Sequence, residues 1–164
     1  MDSSYPSVVD AILQDFSDLP NLAELAHVAT RLLMAALLGG ALGFEREFAG
    51  KSAGLRTHML VTVGVALFVM VPQLEGMDIA DQSRVWQGII TGIGFLGAGA
   101  ILKLTQEQQI HGLTTAAGIW LAAAVGIAVG VGRSGTAMLA TVLAILILSA
   151  AGWIEQRYCQ RRGI

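Results

Sequence analysis

The stretch Gly88–Leu104, GIITGIGFLGAGAILKL, decides how this chain is read. It is apolar enough to cross a bilayer, yet Gly88, Gly92, Gly94, Gly97 and Gly99 punctuate it. Inside it, GIGFLG fits the dinucleotide-binding pattern G-x-G-x-x-G letter for letter. That fingerprint requires a preceding strand, a glycine turn opening a helix, and an acid about 20 residues further on. Here the glycines sit within one long apolar run, and the region from Ala117 to Trp120, where the acid would fall, holds none. The stretch reads instead as a glycine-rich membrane helix. Its small residues let neighbouring helices come close and offer positions where the helix can unwind.

The composition around it agrees. The chain has 164 residues, 54% hydrophobic and 13% charged, with a mean hydropathy of +0.65. A soluble domain carries about 25% charged residues, so the deficit points to a bilayer. The single cysteine, Cys159, excludes an internal disulfide framework and a cysteine-rich metal site. His27, His58 and His111 show no metal-ligand spacing. Residues 1–24 contain no Lys or Arg, so they lack the basic start of a secretory signal. Asp2, Asp10, Asp15, Asp18 and Glu24 make this tail acidic, and Val8, Val9, Ile12, Leu13 and Phe16 recur at helical spacing. It reads either as an interfacial amphipathic helix or as a poorly ordered tail.

A spanning helix needs about 20 mostly apolar residues. Five runs qualify: roughly Leu25 to Phe44, Thr57 to Pro72, Val85 to Leu104, Gly112 to Val131 and Gly135 to Ile154. The expectation is an all-α integral membrane protein, a bundle of about five transmembrane helices spanning residues 25–154. An acidic tail (1–24) precedes it and a short basic tail (155–164) follows. With the N-terminus outside, the cytoplasmic segments carry Arg46, Lys51, Arg56, Lys103, Arg157, Arg161 and Arg162, and the outer ones only Arg84 and Arg133. That bias places the C-terminus in the cytoplasm. Arg31 lies about six residues, roughly 9 Å, into the first span and reads as snorkelling to the outer interface, with a buried partner as the lesser alternative.

This topology brings Glu45, Arg46, Glu47, Arg56, Thr57, His58, Lys103, Thr114 and Thr115 to one level, beside Gly94, Gly97 and Gly99. Ionisable groups at membrane depth are costly and usually face the bundle interior or a water-filled cavity. The cluster reads as a cytoplasm-facing polar site, or as ordinary interface chemistry in which Glu45 pairs with Arg46 or Arg56. Glu45 and Glu47 point about 200° apart on a helix, so they share a hard cation such as Mg2+ only if the helix has ended there. Arg46, Arg56 and Lys103 suit an anion or an acidic lipid headgroup instead. The pairs Gly39/Gly43, Gly88/Gly92 and Gly126/Gly130 fit close helix crossings, within one subunit or between two.

Four ordered motifs carry a resemblance: RLLMAALLGGALGFERE from Arg31, AGLRTH from Ala53, GIGFLGAG from Gly92 and GLTTAA from Gly112. Together they make the chain resemble the MgtC/SapB family of bacterial membrane proteins over roughly Arg31 to Gly132. The resemblance implies a multi-pass inner-membrane protein of about five spans. It further implies a part in magnesium homeostasis, growth at low magnesium and, in pathogens, survival inside host cells, with membrane partners that include the ATP synthase. The family's acidic position after the first span corresponds to Glu45, and its R-T-H to Arg56, Thr57 and His58. Longer members carry a soluble C-terminal domain of the ACT type, whereas this sequence stops at Ile164.

Two functions compete. One is a non-enzymatic regulator acting through membrane partners, expected as a homo-oligomer, a dimer first. The other is a small carrier or channel for Mg2+ or another ion. An enzyme has little support, because no nucleophile with an evident base and no phosphate loop is present. No cofactor and no nucleic-acid partner is expected, and no metal ligand set is assigned.

Overall fold

A computed structural model describes residues 7–15, 21–104 and 109–162. Asp2, Phe16 and Asp18 of the acidic tail lie outside them. The chain divides into two units, Met1–Thr30 and Arg31–Ile164.

In the first unit, α1 runs Val8–Asp15. Ser7 and Asp10 form a capping box: the Ser7 hydroxyl donates to Asp10 Oδ2 at 2.7 Å and accepts the Asp10 amide at 3.1 Å. The apolar residues Val8, Val9, Ile12 and Leu13 are all exposed. α2, Leu22–Phe48, then begins beside Asn21, whose side-chain oxygen accepts the Glu24 amide at 2.8 Å.

The second unit holds the rest of α2 together with α3 (Leu55–Leu74), α4 (Ile79–Gly99), α5 (Leu113–Gly130) and α6 (Ser134–Arg162). Between α4 and α5 a small antiparallel hairpin pairs β1 (Leu102–Leu104) with β2 (Gln109–His111). The protein is thus all-α in architecture. Among the described residues α2, α3, α5 and the Ser134–Ile154 part of α6 are long and apolar enough to cross a membrane. α4 is as long, but Asp81, Gln82, Arg84 and Gln87 fill its first turns and lower its hydropathy.

The third apolar run is shorter as a helix than its sequence suggests. It stays helical through all of its glycines to Gly99, with no break. Then the Ala100 amide bonds back to Leu96 and Gly97 and the Ile101 amide to Ala98, which tightens the final turn. The expected span to Leu104 gives way to the hairpin. Gly112 closes this turn at φ 93°, a left-handed conformation natural to glycine, and a side chain there would strike the Ala100 carbonyl.

α5 is the central helix, and α3, α4 and α6 all pack on it. Glycines set how close the neighbours come. A Cβ on Gly126 would stand 2.7 Å from the Thr62 carbonyl, and one on Gly130 would stand 2.7 Å from Val69 Cβ. Gly126/Gly130 is therefore the α3–α5 crossing. Gly39/Gly43 is the α2–α3 crossing, where added Cβ atoms would lie 2.7 Å from the His58 carbonyl and from Leu55 Cα. Both crossings lie within one subunit. Gly88 and Gly92 face open space. The core they leave is filled by Ala35, Leu42, Ala66, Ala122, Val125, Val129, Ala137 and Ala144.

Candidate functional site

The polar end of the bundle is built where α2 ends and α3 and α5 begin. In the last turn of α2, Arg46 folds back on its neighbour: Nη2 donates to Glu45 Oε1 at 2.7 Å and Nε to Glu45 Oε2. The Arg46 residue is 3% exposed, and the Glu45 side chain is 17% exposed. A buried guanidinium held in this two-pronged manner satisfies the charge that burial would otherwise penalise.

His58, one turn into α3, is fully buried. Its Nδ1 lies 2.9 Å from the Gly54 carbonyl. A carbonyl only accepts, so Nδ1 carries a proton and donates it to Gly54. Nε2 has no partner among the described residues. It faces Gly118 of α5, where a Cβ would stand 3.3 Å from Nε2 and 4.0 Å from Arg46 Cδ. Thr115, 2% exposed, lies one turn earlier on α5. Arg46, His58 and the Thr115–Gly118 turn are thus brought together.

The other expected residues are distributed differently. Glu47 is exposed and caps α3, its Oε2 accepting the Leu55 amide at 2.8 Å. Glu45 and Glu47 serve different partners, and no cluster of three or more His, Cys, Asp or Glu side chains suited to a metal occurs among the described residues. Arg56 and Thr57 are exposed on the first turn of α3. Thr114 is exposed and lines a cleft with Glu45 and Arg46. Gly94 and Gly99 face open space, and Gly97 lies beside Ala116, so the glycine motif flanks the polar groups without entering their contacts. Lys103 lies on β1.

One polar residue, Thr62, escaped the sequence reading, and Arg31 takes the alternative that reading ranked second. Thr62 is buried in the middle of α3 and donates from Oγ1 to the Ala35 carbonyl at 2.7 Å, stitching α3 to α2. A lone threonine in the run Val61–Thr62–Val63 was the available signal. Arg31 does not simply snorkel: Nη1 donates to Gln73 Oε1 at 3.0 Å and to the Gly130 carbonyl at 2.9 Å. The helix-end carbonyl and the glutamine are partners that no local pattern reveals.

Apolar helices that cross a membrane more than once, packed through glycines around a buried ion pair, define a multi-pass helical membrane protein. Comparison with known sequences assigns it more narrowly. The pattern of the MgtC family matches residues 32–157, and the chain belongs to that family. It is 48% identical over 123 residues to the protein MgtC of Brucella abortus, covering 75% of this chain and 50% of that one. It is 42% identical over 130 residues to YhiD of Escherichia coli strain K12, whose name describes a candidate magnesium transporter, covering 75% and 60%. Protein SrpB of Synechococcus elongatus is 41% identical over 145 residues, covering 78% and 80%. The chain thus spans between half and two thirds of the first two relatives. No solved structure matches.

Proposed function

We propose that this chain is an inner-membrane protein that supports magnesium homeostasis and growth at low magnesium, and host-cell survival in a pathogen. It does so by regulating membrane partners, the ATP synthase among them, and not by catalysing a reaction. The observation that carries this reading is the buried Glu45–Arg46 pair beside His58, gathered at one end of the bundle. Beyond it the space between α3 and α5 is occupied by Val65, Ala66, Val69, Ala122, Val125 and Val129. A carrier needs polar groups along its path; a regulator needs one shaped and charged end. The Lys and Arg distribution supports an external N-terminus and a cytoplasmic polar end. The open groove at Gly64, Gly88 and Gly92 supports a homodimer.

A small carrier or channel for magnesium or another ion is the second reading, supported by the name of the Escherichia coli relative. Flux separates the two. Protein reconstituted in liposomes is expected to move neither Mg2+ nor protons, while the same chain restores low-magnesium growth to a strain lacking its own family member. Saturable flux of either ion from the folded protein would replace the regulator with the carrier.

A further inference from the structure

We infer that the cleft between the ends of α2 and α6 is a binding site for an anionic phospholipid. The inference rests on the polar end being a functional surface, and it names the ligand of that surface. The cleft encloses about 1250 Å³, and its walls include Phe44, Leu148 and Trp153, with Glu45, Arg46 and Lys51 supplying its charge. An apolar wall with a polar end is the shape of an amphiphile's site, not of a small ion's.

Its depth fits a headgroup. The apolar part of α6 ends at Ile154, so Leu148 to Trp153 form the closing turns of that span. Phe44 is 64% exposed and Trp153 57% exposed, and aromatic side chains collect where acyl chains meet headgroups. Just beyond, the Arg157 guanidinium lies 4.2 Å from the centre of the Trp153 ring.

Its charge fits a phosphate. Arg46 spends Nε and Nη2 on Glu45, while Nη1 has no acceptor among the described residues although Arg46 lines the cleft. Glu45, the one acid among the described lining residues, is neutralised by that pairing. Lys51 in the lining and Arg157 on Trp153 leave the mouth positive. A phosphate oxygen supplies the acceptor that Arg46 Nη1 lacks, and the acyl chain lies against Phe44 and Leu148. A zwitterionic lipid brings an ammonium group for which the cleft holds no free carboxylate among the described residues.

The test uses the full chain in phosphatidylcholine vesicles, with Trp86→Phe and Trp120→Phe leaving Trp153 as the reporter. Brominated phosphatidylglycerol is expected to quench Trp153 more strongly than brominated phosphatidylcholine at equal mole fraction. Lys51→Gln is expected to weaken that preference about fivefold, the usual worth of one basic residue at an anionic membrane surface. Gly152 lines the cleft and has nothing within 4 Å of an added Cβ, so the side chain of Gly152→Leu projects into the cleft against its apolar wall. That variant is expected to lose the preference while its circular dichroism is unchanged. Equal quenching by both lipids, or a preference that survives Gly152→Leu, overturns the lipid site. Removal of the preference by inorganic phosphate at matched ionic strength overturns it in favour of a free-anion site. Because the readout is lipid contact, its failure leaves the growth and flux results untouched.

Discussion

Arg31 donates to the backbone carbonyl of Gly130 at 2.9 Å, across 99 positions of sequence, and the same Nη1 reaches Gln73 Oε1 at 3.0 Å. Gly130 is the last residue of α5, and a terminal carbonyl has no partner within its own helix. A cation at that end also complements the helix dipole. One guanidinium thus fastens α2 to the closing turns of α3 and α5. We expect Arg31→Ala to lower unfolding stability in bicelles by about 2 kcal/mol. Arg31→Lys should recover only part, because the lysine side chain ends one atom short of the Nη1 that makes both bonds. An unchanged unfolding midpoint in Arg31→Ala would show that the two bonds contribute nothing net.

The glycines divide into two groups with opposite expectations. Gly126→Ala places a methyl group 2.7 Å from the Thr62 carbonyl and 2.8 Å from Val65 Cβ. Overpacking of this kind costs about 1–3 kcal/mol. Gly88→Ala and Gly92→Ala meet open space, and alanine is the better helix former by about 0.5–1 kcal/mol. Stability of the monomer against unfolding should therefore fall in the first case and hold or rise in the others. If the groove at Gly88 and Gly92 joins two copies, those two changes should instead weaken dimerisation, read by mass in detergent.

These glycines also mark how far the sequence could be read. Hydropathy and charge gave the helical membrane class, and the spacing of small residues gave the crossings. Whether a crossing lay inside the subunit was invisible, because Gly126/Gly130 and Gly88/Gly92 have the same spacing and differ only in what stands opposite. The run from Gly92 to Leu102 is uninterruptedly apolar, so the helix end at Gly99 depended on turn geometry at Ala100 and Gly112, not on composition. At the polar end the residue types were legible and their partners were not. Glu45 and Glu47 look alike in the string, yet one holds a buried guanidinium and the other caps the next helix.

That capping role carries its own expectation. Gly54 precedes α3 and offers no side chain, so Glu47 supplies the acceptor for the Leu55 amide from the preceding helix. Glu47→Ala should destabilise by about 1 kcal/mol, the usual loss at a helix N-cap. Glu47→Gln keeps an acceptor oxygen and should lose less. Hydrogen exchange at the Leu55 amide reports the bond directly, and equal protection in the parent and Glu47→Ala would remove Glu47 as its cap.

Asp10 should respond to pH in a defined direction. The Ser7 hydroxyl and then the Ser7 amide donate to its carboxylate and hold its pKa below the ordinary value of 3.8. A carboxyl lowered on folding stabilises its helix above the ordinary aspartate range, and that contribution fades as pH falls through the lowered value. The capping of α1 should therefore persist at mildly acidic pH and loosen only below the usual midpoint. Carboxyl NMR titration of Asp10 in the full chain measures this. Ser7→Ala should return the midpoint toward the ordinary value, and an unmoved midpoint would contradict the box.

The Glu45–Arg46 pair offers the sharpest separation of structure from function. Removing one partner of a buried pair leaves an uncompensated charge and costs about 3–5 kcal/mol. Replacing both by apolar residues of similar volume is often neutral or stabilising. Glu45→Ala alone should therefore unfold the polar end, and its loss of function would say little about mechanism. The double replacement Glu45→Met with Arg46→Met should restore the stability lost in Glu45→Ala, read as unfolding in bicelles. If the charges are there for a ligand or partner, this folded double variant should still fail to support low-magnesium growth. Growth at the parental level from the double variant would reduce the pair to a structural feature and move the search for the functional surface to His58, Thr115 and the hairpin.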